Sequence, residues 1–217
     1  MKRESSSRKG RMKDSEGWKP HTKLGQMILE GRISSVEEIF AEGSKIREPE
    51  IVNVLVPDLQ EEVINISLVQ KQTDAGEKSR FKAIVAVGNR DGYIGLGSGK
   101  ASQVRTAIEK AAADARLNIT VVRRGCGSWE CGCGQPHSLS FEIVGKCGGV
   151  EIKMIPGPRG LGLVASEVAK TVLGLAGIKD CWTRSYGSTR TVPSFAYAVF
   201  DALKKTYHVV TPGDWVG

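Results

Sequence analysis

The 217-residue sequence has no long apolar run. Its longest apolar stretches, such as Ala83 to Val87 and Val192 to Val199, are far shorter than the roughly 18 residues that span a bilayer. An apolar leader is also missing, because Met1-Lys2-Arg3-Glu4-Ser5 leads into further charged residues. We therefore expect neither a membrane protein nor a secreted one.

The sequence has few cysteines and no recognisable catalytic set. Five cysteines is an odd number, and three of them fall within residues 126–133, which argues against a disulfide framework and for a reducing compartment. No Ser-His-Asp, paired-carboxylate or Cys-His-Asn arrangement stands out, so we do not expect an enzyme. Apolar residues (40%) and charged residues (25%) are in the proportions of a folded soluble protein.

Charge is sorted into blocks along the chain, although the net charge is only +7. Residues 1–25 contain eight basic and three acidic side chains, and residues 71–124 contain eleven basic and five acidic ones. Between them, residues 26–70 contain three basic and nine acidic side chains. Two positive blocks indicate a polyanionic partner such as nucleic acid. The first block is also poor in apolar residues, so we expect a flexible basic arm over residues 1–25.

Hydrophobic periodicity predicts an α+β fold for residues 26–120. The expected elements are a helix at 34–43, strands at 63–69, 81–87 and 93–96, and an amphipathic helix at 104–115. Asp91-Gly92 predicts a tight turn between the second and third strands, because glycine accepts a positive φ. Alternation of Ile64, Ile66 and Leu68 predicts that the first strand buries one face, and we expect one face of the sheet to be covered.

The pattern changes after a strand at 119–123. A Cys- and Gly-rich loop at 125–137 is followed by strands at 139–144 and 150–155, a helix at 165–176, a strand at 180–186 and a helix at 194–207. This order predicts a right-handed βαβ crossover and a second, α/β domain. We therefore place a domain boundary near residue 120, with the second domain at 121–207 and a tail at 208–217.

Two glycine-rich segments resemble phosphate-binding loops. Gly95 to Lys100 fails the P-loop pattern at Ile94 and Ala101, and it fails the dinucleotide fingerprint at Lys100. We interpret its glycines as points of close backbone approach, with Lys100 at a helix start facing an RNA phosphate. The segment 156–162 resembles the loop of galactokinase- and homoserine kinase-type enzymes but lacks their two following serines. A phosphotransferase is therefore the weaker alternative.

Cys126, Cys131, Cys133 and His137 fall within twelve residues. Three thiolates and one imidazole are a donor set for a closed, structural Zn²⁺ site that would hold a loop without a core of its own. Cys147 is an alternative to His137. Free buried cysteine is the competing interpretation, because the spacing is not that of a common zinc finger.

Several motifs, in order, resemble the universal small-subunit ribosomal protein five family. The longest is Gly76 to Asn118, which includes Gly92-Tyr93-Ile94-Gly95-Leu96-Gly97 and the Ala-rich helix. Three more follow in the second half of the chain: Ile155-Pro156 with Arg159-Gly160-Leu161-Gly162, Leu175-Ala176-Gly177-Ile178, and Tyr186-Gly187-Ser188-Thr189. The long arm, the Gly25–Phe40 segment and the Cys-rich insert are similar to those of the archaeal and eukaryotic branch.

The resemblance implies a domain like a double-stranded-RNA-binding domain, followed by a C-terminal domain of ribosomal βαβ type. It implies a structural role in the small ribosomal subunit in the cytoplasm. The implied partners are ribosomal RNA and the ribosomal proteins numbered four and eight, close to where mRNA enters, with effects on subunit assembly and decoding accuracy. A regulator that binds RNA outside the ribosome is the remaining alternative.

RNA contacts are expected in the loop at 73–80, in the hairpin at 89–99, and at nearby cations, because such RNA is recognised through shape and phosphate. The candidate RNA-binding residues are Lys78, Arg80, Lys82, Asn89, Arg90, Gly92, Gly95, Gly97, Gly99, Lys100, Arg105, Arg123, Arg124 and Arg159.

Overall fold

A computed structural model describes residues 18–56 and 58–208 of the chain. The helices are Lys23–Leu29 (α1), Val36–Ala41 (α2), Pro49–Leu55 (α3), Val104–Leu117 (α4), Glu167–Leu175 (α5) and Val192–Lys205 (α6), with a 3-10 turn at Thr206–His208. The strands are Gln60–Thr73 (β1), Gly76–Gly88 (β2), Tyr93–Ala101 (β3), Thr120–Val121 (β4), Arg124–Gly125 (β5), Ser138–Leu139 (β6), Ile143–Cys147 (β7), Val150–Pro156 (β8), Leu163–Val164 (β9) and Cys181–Gly187 (β10). The α+β prediction is confirmed.

The N-terminal helices form a small apolar cluster. The side chain of Ser35 accepts a hydrogen bond from the Glu38 N–H and thereby begins α2, as the sequence predicts. Buried Ile39 and Ile51 pack with Ile119 at the end of α4. The basic arm expected over residues 1–25 lies outside the described residues up to residue 17, but from Trp18 onward the chain already packs against this cluster.

The first sheet has the strand order β1-β2-β3-β4, and residues 83–88 of β2 are buried on both faces. Ala83, Val85 and Val87 pack against α4, whereas Ile84 and Ala86 belong to the core shared with the C-terminal half. The prediction that only one face of the sheet is covered is therefore wrong. A continuous apolar run is what a strand covered on both sides requires.

Helix α4 packs on β3 through three alternating glycines. A Cβ atom at Gly95, Gly97 or Gly99 would lie 2.2, 2.2 and 2.4 Å from backbone atoms of α4. The close backbone approach predicted for these glycines is therefore an approach to the protein's own helix. Lys100 lies in β3 and not at a helix start, because α4 begins only at Val104.

Strand β1 differs most from its prediction. It runs for 14 residues, contains a bulge between Val63 and Asn65, and forms an edge of the sheet. Ile64 is half-buried, but Ile66 and Leu68 are 42% and 55% exposed, so the predicted buried face is wrong. Helix α4 packs over β3 and β2, so it leaves these two side chains of the edge strand largely exposed.

The two halves of the chain share one core. Ile84, Ile94 and Leu96 of the first sheet pack with residues of α5 and α6. The β2–β3 turn also contacts the C-terminal half, since Arg90 N–H donates to Leu175 O (2.8 Å) and Gly92 N–H donates to Ala176 O (3.1 Å). The boundary predicted near residue 120 therefore divides the sequence, but the two halves on either side of it pack around one hydrophobic core.

The second sheet has the order β7-β8-β10-β9. Strand β10 is antiparallel to β8 and parallel to the two-residue β9, so the predicted strand–helix–strand crossover runs from β9 through α5 to β10 and does not start at β8. The chain reverses in the 157–162 loop, where Gly160 and Gly162 have positive φ values of 89° and 75°. Helices α5 and α6 cover one face of this sheet, and the other face exposes Trp182 and Tyr186.

Candidate nucleic-acid interface and metal site

Strands β1 and β2 extend past the rest of the first sheet as a two-stranded ribbon with its turn at residues 74–75. Lys71 lies directly opposite Lys78, and Lys82 lies directly opposite Lys100 on β3. Residues 78, 80 and 82 share one face of β2, because side chains alternate along a strand. We call the resulting cationic surface the basic ribbon, and it consists of Lys71, Lys78, Arg80, Lys82 and Lys100.

The basic ribbon is not neutralised by the protein. Its side chains are exposed or half-buried, and they form no ion pair within residues 18–56 and 58–208. Glu77, the nearest acid along β2, lies on the opposite face, where its carboxylate accepts a hydrogen bond from Gln70. Like charges placed directly opposite each other destabilise a sheet, so the ribbon gains stability from a bound anion.

The β2–β3 turn lies at the other end of the sheet from the basic ribbon. Arg80 and Gly88 are separated by eight residues of extended strand, roughly 27 Å. Asn89 Oδ1 accepts hydrogen bonds from Asp91 N–H (2.8 Å) and Tyr93 N–H (3.0 Å), and buried Gly92 contacts α5. The sequence groups Asn89, Arg90 and Gly92 with the cations of the ribbon, whereas the structure uses this turn to join the two halves of the chain.

The remaining predicted cations are dispersed. Arg105 forms an ion pair with Glu109 (3.1 Å) on α4, and Arg124 forms one with Asp91. The guanidinium of Arg123 lies over the Tyr207 ring, 5.3 Å from its centroid. The side chain of Arg159 is exposed in the loop at 157–162. Of the predicted cations, Lys78, Arg80, Lys82 and Lys100 lie together on the basic ribbon, whereas Arg123 and Arg124 line a separate cavity beside the β2–β3 turn.

A second candidate site brings the four predicted metal ligands together. The ligand atoms of Cys126, Cys131, Cys133 and His137 all lie within 4.8 Å of one another. The Cys126 and Cys133 sulfurs are 3.6 Å apart, and Cys131 Sγ is 3.7 Å from His137 Nε2. Tetrahedral Zn²⁺ with Zn–S bonds of about 2.3 Å requires sulfurs about 3.8 Å apart. Cys147, the alternative ligand, ends β7 and is not in this cluster.

Asp180 holds the imidazole of His137 in the orientation that a metal needs. Its Oδ2 lies 2.8 Å from His137 Nδ1, and both side chains are buried. Because a carboxylate accepts, Nδ1 carries the proton and the lone pair of Nε2 faces the thiols. Asp180 Oδ1 also accepts hydrogen bonds from Gly160 N–H (3.1 Å) and Gly162 N–H (2.8 Å). One carboxylate thus joins the Cys/His cluster to the glycine-rich loop.

The local hydrogen bonds favour a thiolate in this cluster. The N–H of Arg159, with a further contribution from the N–H of Cys133, lowers the pKa of Cys131 to about 6. Burial and the neighbouring thiols raise the pKa of Cys126. Buried Cys181, outside the cluster, has its pKa raised to about 12 by burial. The lowered pKa of Cys131 favours its thiolate form, whereas the raised pKa of Cys181 keeps that core side chain neutral.

Sequence reasoning missed two residues that the structure adds to these sites. Lys71 joins the basic ribbon because the register of the β1–β2 hairpin places it opposite Lys78. If the predicted strands at 63–69 and 81–87 were extended to a turn at residues 74–75, the sequence would predict this pairing. Asp180 joins the metal cluster although it lies 43 residues from His137. No local spacing signals that contact.

Comparison with known protein families covers both halves of the chain. Residues 59–123 match the family described as "Ribosomal protein S5, N-terminal domain", and residues 145–211 match "Ribosomal protein S5, C-terminal domain". No helix within the described residues has the length and apolar character needed to cross a bilayer.

Three proteins named "Small ribosomal subunit protein uS5" are similar over most of the chain. The one from Thermofilum pendens is 57% identical over 198 residues, which are 91% of this chain and 98% of that protein. The one from Pyrobaculum calidifontis is 59% identical over 191 residues, 88% of this chain and 95% of the relative. The one from Aeropyrum pernix is 55% identical over 210 residues, 97% and 96% of the two chains.

Proposed function

Because the chain belongs to the ribosomal protein S5 family, it is a structural component of the small ribosomal subunit and not an enzyme, and we propose that the basic ribbon is its main contact with ribosomal RNA. The observation that carries this proposal is the pair of directly opposed like charges, Lys71 with Lys78 and Lys82 with Lys100. Such a surface is stabilised by phosphate groups, which lysine and arginine bind without reading sequence.

Charge-removal variants test the ribbon. Replacing Lys78, Arg80, Lys82 and Lys100 together by alanine should lower the slope of log K against log salt by about 0.7 to 0.9 for each phosphate that the variant no longer neutralises. Sequence preference should stay unchanged, because phosphate contacts contain no base information. The measurement is binding of the full chain to small-subunit RNA between low and physiological salt.

The matched control removes four exposed cations elsewhere, namely Lys45, Lys110, Lys146 and Lys170. This control should leave most of the salt slope in place. Equal slopes for the ribbon variant and the unmodified chain would contradict the proposal.

The partners of the chain are ribosomal RNA and other ribosomal proteins. We infer the more specific placement beside the proteins numbered four and eight, near where mRNA enters, from the family resemblance. The open face of the second sheet supports a protein neighbour, because Trp182, Arg184 and Tyr186 alternate along β10 on that face. These residue types dominate binding energy at protein interfaces. Roles in subunit assembly and decoding accuracy, in the cytoplasm, follow from that placement.

Sedimentation of a cell extract tests the ribosomal placement against an independent RNA-binding regulator. The chain should travel with the small subunit and be depleted from the free protein pool. A chain found mostly in the free pool would favour the regulator.

We also propose that Cys126, Cys131, Cys133 and His137 hold one structural Zn²⁺. The support is the fit of the ligand atoms to tetrahedral spacing, together with the orientation of His137 by Asp180. All four positions of a tetrahedral ion are filled by protein, so the site has no open position for a substrate. When bound, the ion would join β5 and β6 through the loop between them.

Metal analysis of the purified protein should find about one equivalent of zinc. Cys133→Ser should lose most of it, because three ligands hold Zn²⁺ more weakly than four. Cys147→Ser is the control and should keep the full equivalent, since Cys147 is outside the cluster. Less than a tenth of an equivalent in the unmodified protein would end the zinc proposal.

A further inference from the structure

Trp129 is the most exposed large apolar side chain in the described part of the chain. It is 92% exposed, whereas the next most exposed, Leu68, is 55% exposed. Tryptophan is highly buried on average, and tryptophan is also enriched among the residues that dominate protein interfaces. The exposure of the Trp129 indole therefore suggests that a partner covers it.

The turn that presents Trp129 is fixed at both ends. Cys131 N–H donates to Ser128 O (3.2 Å), which closes a turn with Trp129 and Glu130 at its tip. Ser128 is buried, and its Oγ accepts a hydrogen bond from Glu130 N–H (3.4 Å). On the far side, Cys131 O lies 3.2 Å from the Cys126 sulfur, whose thiol donates to it when no metal is bound. The indole thus projects from a turn of defined conformation.

The stem below this turn is also ordered by backbone contacts. Gly125 pairs with Ser138, and Gly127 N–H donates to Leu139 O (3.0 Å). A Cβ atom at Gly127 would lie 2.1 Å from Ser140 O, so the loop lies flat against the end of β6. When the backbone that carries a contact residue is already ordered before binding, less conformational entropy is lost on binding, and the affinity is higher.

An exposed tryptophan could contact either RNA or another protein, and the charge next to Trp129 favours a protein. The charged residue next to Trp129 is Glu130, and residues 125–137 contain no lysine or arginine; the cation packed against the loop is Arg159, whose N–H faces Cys131 on the far side of the turn. An RNA backbone would be repelled by the carboxylate next to the indole, whereas a basic protein surface would be attracted by it. This loop therefore differs in charge from the basic ribbon, which suits RNA.

We propose that Trp129 is an anchor that inserts into an apolar pocket of a neighbouring ribosomal protein, and that Glu130 pairs with a lysine or arginine at the rim of that pocket. The surface is distinct from the basic ribbon and from the open face of the second sheet. It rests on the place of the chain in the small subunit, but it does not depend on a bound metal, because the two hydrogen bonds to Ser128 that close the turn involve no metal-ligand atom.

A photo-crosslinking experiment on assembled small subunits identifies the class of the partner. Trp129→p-benzoylphenylalanine should crosslink to one ribosomal protein, at a peptide that combines apolar residues with a lysine or arginine. The matched control places the same group at Gln135, which is exposed in the same loop. A crosslink from position 129 to ribosomal RNA, or a yield no higher than from position 135, would overturn the proposal.

Competition for small subunits depleted of this protein measures the energy of the contact. Trp129→Ala should need about 30-fold more protein than the unmodified chain to fill half of the particles. Trp129→Phe should lose less, because an aromatic ring still enters the pocket, and Glu130→Gln should lose about threefold. Equal occupancy by Trp129→Ala and the unmodified chain would overturn the proposal. Neither position supplies a metal ligand, so the zinc content of each variant separates this result from the zinc proposal.

Discussion

Gly97→Ala is expected to destabilise the fold by about 3 kcal/mol or more, which is enough to unfold a marginally stable domain. The added Cβ atom would lie 2.2 Å from Ala115 N and 2.3 Å from Ala111 O. Both are backbone atoms of α4, so they cannot move aside as a flexible side chain would. The helix must instead lift off β3, which opens the apolar layer of Ala107, Ala111 and Ala115.

The measurement is the free energy of unfolding from urea titration followed by circular dichroism. Gly174→Ala is a matched control, because Gly174 lies inside α5 with no atom within 4 Å of the added Cβ. That variant should gain about 0.5 to 1 kcal/mol, since alanine is a better helix former than glycine. A stable Gly97→Ala protein with an unchanged unfolding midpoint would mean that α4 does not pack on β3 as described.

Asp180→Ala is expected to cost about 3 kcal/mol or more of stability and to lower zinc affinity about 10- to 100-fold. The carboxylate is 4% exposed and serves His137 Nδ1–H and the N–H groups of Gly160 and Gly162. Removing it leaves these donors without their partner in a buried site. Unfolding by urea and competition with a zinc chelator measure the two effects.

Asp180→Asn separates the two roles of this side chain. Its amide oxygen can still accept from Gly160 and Gly162, so most of the stability should remain. Its amide nitrogen would donate a hydrogen bond to His137 Nδ1. This contact favours the imidazole tautomer with its proton on Nε2, and that tautomer has no lone pair on Nε2 to bind a metal. Zinc affinity should therefore fall much more than stability. A variant that binds zinc as the unmodified chain does would contradict the role assigned to Asp180.

Asp201→Ala is the control for loss of a carboxylate as such. Asp201 accepts from Lys146 N–H (3.1 Å) and pairs with Lys205, but it is 41% exposed. Its removal should cost less than about 1 kcal/mol, because exposed ion pairs contribute little.

Short-range patterns in the sequence correctly predicted the features that depend on residues close together in the chain. The periodicity of Val104 to Ala115 correctly predicts α4, and the clustering of Cys126 to His137 correctly predicts four ligand atoms close together. The alternation of Gly95, Gly97 and Gly99 was also a valid signal of close approach. Its interpretation as an RNA contact fails because period-two spacing in a strand places all three on one face, where α4 covers them.

Features that depend on distant residues were not predictable in this way. The exposure of Ile66 and Leu68 arises because β1 is the edge strand and α4 packs over β3 and β2, which no alternation within β1 reveals. The antiparallel pairing of β8 with β10 depends on a reversal at Gly160 and Gly162 that local propensity leaves open. The contact of Asp180 with His137 depends on this reversal, because the same carboxylate binds the N–H groups of Gly160 and Gly162.

The shared core has a consequence for the order of synthesis. Ile84, Ile94 and Leu96 are covered by residues of α5 and α6, which are translated after the whole of the first sheet. While the nascent chain is still growing, the first sheet can form its pairing with α4, but its second face remains an apolar surface in water. The early half of the polypeptide is thus a natural client for chaperones that bind exposed apolar surface, until α6 arrives and closes the fold.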